Sequence, residues 1–76
     1  MYLLTNKYLT MKKAQKIRYI LSELKQNELY LNKVFTKNVG LLIISSFVPQ
    51  QQKLMLERLE IKGIDNLISI LIEEKQ

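Results

Sequence analysis

Along residues 10–25 the apolar positions fall at the spacing of one helix face. Ala14, Ile17, Leu21 and Leu24 stand three and four residues apart, with Ile20 beside them. Lys12, Lys16, Arg18 and Lys25 lie off that stripe, and Thr10 is placed to cap the helix with its hydroxyl. The stripe runs on to Leu31 and Phe35, but Glu28 occupies the seam between them, where a long coiled coil would not put a carboxylate. A break near Gln26–Asn27 follows, with Asn27 capping a second helix, "ELYLNKVFTKN". Leu31, Val34 and Phe35 face inward in that helix, Lys33 and Lys37 suit its C-terminal end, and Gly40 stops it in a left-handed conformation. One continuous helix from Thr10 to Asn38 is the competing reading.

The run "LLIISSFV" is too short for periodicity to decide between strand and helix. No other segment offers it a pairing partner, and an isolated strand leaves its backbone groups unpaired, so the pattern predicts a short buried helix. Pro49 fits the first position of the next helix, where its missing N–H costs nothing. That helix ends at Gly63 as its left-handed terminator, with Ile64 packing back on Leu59 and Asp65 capping a last helix. In the last helix Leu67, Ile68, Leu71 and Ile72 make one apolar face and Ile70 points away. Residues 1–9 read equally as a short strand, a helical turn or an arm. The expected object is a single all-α domain over residues 1–76, a bundle of three to five short helices.

Seventy-six residues bury little surface, so such a chain usually needs disulfides, a metal or self-association. The sequence has no Cys and no His. Disulfides are closed to it, zinc and haem lack their usual ligands, and no cofactor is expected. Efficient packing or self-association remains, and an apolar share of 47% favours self-association. Five of the seven residues from Leu67 to Glu73 are Leu or Ile, which marks the last helix as either central to the core or a contact with another chain. Ile44, Phe47, Leu67, Ile68, Leu71 and Ile72 are therefore the candidate partner or subunit contact. On this reading Leu71→Asp abolishes self-association and leaves the fold intact.

The common nucleophile–base pairs need His or Cys, so catalysis is not expected. Glu57 and Glu60 share a helical face but sit beside Arg58 and Lys62, as a solvated charged face does. The two glycines make no phosphate loop. Val39–Val48 supplies half of the roughly 20 apolar residues a membrane-spanning helix needs, and it is bounded by Lys37 and Pro49. The first residues carry no secretory signal pattern, which leaves the cytoplasm as the default compartment.

Charge is distributed unevenly. Residues 1–38 hold eight Lys or Arg against two Glu, a balance of +6; residues 39–76 hold four against five acids, a balance of −1. Lys12, Lys13, Lys16, Arg18 and Lys25 thus form a candidate basic face on the first long helix. It can steer the chain toward an acidic protein or lie along a phosphate backbone. A helix-turn-helix over residues 54–75 fails, because Arg58 and Lys62 would fall at buried positions and the recognition helix would be nearly all apolar. An interfacial membrane helix is the weakest fit, since its apolar side has neither Trp nor Phe and is needed for the core. The expectation is a small non-enzymatic regulatory, adaptor or inhibitor protein that binds another protein stoichiometrically and self-associates. A nucleic-acid-binding transcriptional regulator is the alternative. If the basic face is solvated, changing Lys12, Lys13 and Lys16 together to Glu leaves the fold helical.

Overall fold

A computed structural model describes residues 10–75, so the readings of residues 1–9 lie outside the described residues. The fold is all-α. Among the described residues five helices follow one another: α1 (Lys13–Lys25), α2 (Tyr30–Lys37), α3 (Val39–Ser45), α4 (Pro49–Glu57) and α5 (Ile61–Lys75). α5 packs against α1 and α2, α4 lies against α1 and α3, and α3 closes on α2. Of the twelve buried apolar side chains among the described residues, five (Ile64, Leu67, Ile68, Leu71 and Ile72) come from α5, which makes it the centre of the described core.

Helix α1 begins at Lys13, later than Thr10 would set it. Lys12 is the cap residue, in extended conformation, and its amide donates to Gln15 Oε1 at 3.2 Å. Its buried face is also rotated from the purely apolar stripe. Lys16, Ile17, Ile20 and Glu23 are buried, Leu21 and Leu24 are half-buried, and Ala14 is exposed. The cause is electrostatic. Lys16 Nζ donates to Asp65 Oδ1 at 2.6 Å and Lys75 Nζ donates to Glu23 Oε1 at 2.9 Å, so two charged residues of α1 turn inward to meet α5.

The break after α1 falls where Glu28 predicted it, but Asn27 does a different job. It takes φ 52°, a left-handed conformation that Asn tolerates better than most side chains, and so ends α1 instead of capping α2. Two short-range bonds, Leu31 N–H to Glu28 O and Asn32 N–H to Leu29 O, both 3.1 Å, then lead into α2. In α2, Leu31 and Val34 are buried and Phe35 is half-buried.

Asn38 both ends α2 and starts α3. Its backbone is extended, its N–H donates to Val34 O at 2.9 Å, and its Oδ1 accepts from Leu41 N–H at 2.9 Å. The expected left-handed stop at Gly40 is absent: neither glycine has positive φ. The run after Gly40 is helical as far as Ser45, as the missing strand partner implied, but it is not the buried helix expected. Leu41 and Ile44 are buried, whereas Leu42, Ile43, Phe47 and Val48 are exposed, because a helix this short packs only one side on the core. Pro49 opens α4 at its first turn. Gln52 Nε2 reaches back to Ser45 O at 3.3 Å and Phe47 O at 2.9 Å, satisfying carbonyls at and just beyond the end of α3.

Gly63 is likewise no terminator. α4 stops at Glu57, and the first bond of α5 runs from Ile64 N–H to Glu60 O at 3.1 Å. Gly63 therefore lies inside α5, and Asp65 sits a turn into that helix, where it pairs with Lys16 instead of capping. Ile70, expected to point away, is half-buried against the core.

The two glycines should respond differently to alanine. A Cβ at Gly63 meets only Leu59 Cβ at an ordinary 3.8 Å, so Gly63→Ala is expected to stabilise by ~0.5–1 kcal/mol through helix propensity. A Cβ at Gly40 comes within 3.1 Å of Asn38 Oδ1, the oxygen that caps α3, so loss of cap geometry offsets the same gain. Urea midpoints of the two variants check this. Equal gains at both sites would mean that the Asn38 cap yields freely.

Candidate functional site

The candidate contact residues do not form a surface. Ile44, Leu67, Ile68, Leu71 and Ile72 are buried in the chain's own core, and Phe47 alone of the six is exposed. A helix apolar on nearly every side can serve the core or a partner. Here four other short helices need something to pack on, and α5 is the only long apolar rod among the described elements.

An apolar surface is nevertheless present, one helix away. α3 is apolar on two sides: Leu41 and Ile44 point into the core, while Val39, Leu42 and Ile43, at helical spacings of three and four, face solvent. Phe47 and Val48 continue that face, and the five side chains are 41–61% exposed. No charged residue occurs between Lys37 and Lys53, a stretch of fifteen residues that contains all of α3 and its exit. An uncharged apolar patch of this kind, on a chain of net charge +5, is a candidate contact surface.

The basic face is also redrawn. Lys16 leaves it altogether, buried against Asp65. Lys13 is half-buried and its Nζ donates to Glu57 O at 2.9 Å, covering a carbonyl at the end of α4. Lys12, Arg18 and Lys25 are exposed. Arg18 and Lys25 stand two turns apart on α1. Between α1 and α4 lie two shallow hollows that share Arg18 and Leu21 and so adjoin along one groove. Lys25 lines the first and Lys53 of α4 the second. Ser22 of α1 with Pro49 and Gln52 of α4 complete the first hollow, and Ala14, Ile17 and Glu57 the second. Arg18, Lys25 and Lys53 take part in none of the ion pairs among the described residues. The triple change of Lys12, Lys13 and Lys16 to Glu is therefore no test of a solvated face, because a carboxylate at position 16 would lie buried against Asp65.

No family model, curated protein or solved structure matches this chain. Its surfaces have to be read on their own chemistry.

One polar cluster is unforeseen by the pattern of the sequence. Glu23 is buried and accepts from Tyr30 Oη at 2.5 Å, from Lys75 Nζ, and more weakly from Gln26 Nε2 at 3.4 Å. Burial, together with the hydrogen bond and charge of Glu23, pushes the Tyr30 phenol well above its usual range, so it stays protonated and donating. Lys37 pairs with Glu74, whose hydrogen bond and charge raise the ammonium's pKa. These groups tie α1 and α2 to α5 with their capacity used internally, and no buried side-chain N or O among the described residues lacks a partner. The described residues contain no group of three or more acidic side chains placed to hold a metal, and none of their helices is long and apolar enough to cross a membrane.

Proposed function

We propose that this chain is a small non-enzymatic regulatory, adaptor or inhibitor protein of the cytoplasm that acts by stoichiometric binding and self-associates through the outer face of α3. The observation that carries the reading is the uncharged apolar face of Val39, Leu42 and Ile43 with Phe47 and Val48. On a chain of net charge +5 two copies repel at long range, and a contact free of charges is where they can meet without a like-charge penalty. Covering each half-exposed side chain is worth ~1 kcal/mol, so a two-fold contact gains ~10 kcal/mol gross against an association cost of ~4–15 kcal/mol. The expected dimer is weak, micromolar or looser. Sedimentation equilibrium should show a mass that rises above the 9.0 kDa of one chain as concentration increases. A constant monomer mass into the millimolar range is the result that sinks self-association.

The nucleic-acid-binding regulator is the second reading, supported by Arg18 and Lys25 standing two turns apart with no ion-pair partner among the described residues. With Lys16 committed to Asp65, few cations remain on α1 for phosphates. Two or three phosphate contacts give a log–log salt slope of only about −2 to −3 on duplex DNA. Fluorescence anisotropy with a random-sequence duplex at low and moderate salt should accordingly show weak binding. Tight binding with a steep slope would reverse the order of the two readings.

A further inference from the structure

We propose that the groove between α1 and α4 is the docking site for an acidic amphipathic helix of a partner protein. The inference rests on the stoichiometric-binding reading and names the chemistry of the partner, but it uses a surface separate from the outer face of α3.

The groove has two parts with different chemistry. Its apolar lining comes from α1: Ile17 is buried, Leu21 half-buried and Ala14 exposed, so the lining deepens from Ala14 to Ile17. Its exposed cations are Arg18 and Lys25 on the α1 side and Lys53 on the α4 side. A helix laid between two helices presents one apolar stripe to the apolar lining and a polar flank to each side. Arg18 and Lys25 are seven residues apart in one helix, so their Cα atoms are ~10.5 Å apart along the axis. Carboxylates seven residues apart on a partner helix lying along α1 have the same separation, and flanking ones reach Lys53 across the groove. Glu57 is the one carboxylate among the described lining residues, and the partner residue that faces it must be neutral or basic. Nucleic acid fits less well. A phosphodiester backbone gains nothing from Leu21 and Ala14, and it wants more cations than the groove holds.

The test uses three synthetic fluorescein-labelled peptides of about 18 residues, long enough to be helical in part. The first has a Leu stripe at helical spacing flanked by Glu. The second has the same composition in scrambled order, and the third replaces every Glu by Lys. The first is expected to bind the wild-type chain at least ten-fold more tightly than either of the others, with affinity falling as salt rises. Arg18→Glu with Lys25→Glu should weaken it ten-fold or more; both side chains are exposed, and an unchanged far-UV CD spectrum confirms that the variant folds. Lys53→Glu, on the α4 side, should weaken it independently.

Equal binding of the striped and scrambled peptides overturns the proposal, since attraction would then be charge alone. So does full binding by the double charge-reversal variant. Displacement of the striped peptide by random-sequence DNA at lower concentration assigns the groove to nucleic acid instead. Sedimentation of the same double variant separates this proposal from the α3 reading. If it self-associates like wild type while wild type shows no peptide preference, only the groove assignment fails; if peptide binds and no chain self-associates, only the α3 contact fails.

Discussion

Asp65→Ala is expected to lower the unfolding free energy by ~2–4 kcal/mol, whereas Lys16→Met should cost less than ~1 kcal/mol, although the two changes break the same ion pair. The asymmetry follows from burial. The Lys16 side chain is 4% exposed and that of Asp65 is 29% exposed. Removing the carboxylate strands an ammonium in the core between α1 and α5, and an uncompensated buried charge costs several kcal/mol. The estimate is set below the full buried value because water reaches the Asp65 side of the pair. Methionine at position 16 keeps the length and packing of the lysine stem, and the Asp65 it leaves behind can be hydrated. A chain of 76 residues is expected to have only ~4–11 kcal/mol of stability in all, so the Asp65 variant loses a large share of it. Urea unfolding followed by CD measures both. Equal losses would mean that the pair is solvated in solution and that Lys16 does not occupy the core.

The same pair explains why one part of the fold was legible in the sequence and another was not. Helix breaks near Asn27 and before Pro49 follow from local chemistry: a carboxylate in a coiled-coil seam, and an imino acid that suits a first turn. The orientation of α1 does not. A hydropathy stripe counts Lys16 and Glu23 as outward-facing, while their partners Asp65 and Lys75 lie 49 and 52 residues further on. Only the packed structure brings α5 alongside. Terminators went astray for another reason. Reading each Gly as a left-handed stop assigns that role by propensity, but in this chain Asn27 takes the positive φ and Asn38 both ends α2 and caps α3. Asn shares the turn preferences of Gly and adds a side-chain acceptor, which is what the start of α3 requires.

The candidate surface was legible by half. "LLIISSFV" raises the choice between core and exposed surface, and on a helix both hold at once, because Leu41 and Ile44 point opposite to Leu42 and Ile43. Without a settled helix phase those two pairs cannot be told apart. The basic face suffered from the same rotation of α1, which removed Lys16 and left Arg18 and Lys25 beside the groove.

Leu71→Asp is expected to unfold the chain, and Ile43→Lys is expected to leave it folded and monomeric. Leu71 is fully buried at the middle of α5, with 0% exposure. An aspartate there must lose its hydration or expel its neighbours, and the cavity and desolvation costs together exceed ~4 kcal/mol, comparable with the whole stability of a domain this small. The variant should show a collapsed far-UV helical signal at 25 °C, so it cannot report on association, contrary to what the apolar pattern alone suggests. Ile43 is half-exposed near the end of α3. Lysine there suits the C-terminal end of the helix dipole and adds no buried charge to the monomer, so thermal unfolding should shift by no more than a few degrees. In a two-fold contact, however, it introduces a charge on each copy into an apolar patch of a chain already at +5. Its sedimentation mass should stay at 9.0 kDa at concentrations where wild type has begun to dimerise. A folded Leu71→Asp would place α5 outside the core. An Ile43→Lys chain that dimerises like wild type would move the contact off α3, to another exposed apolar side chain such as Leu54 or Ile61.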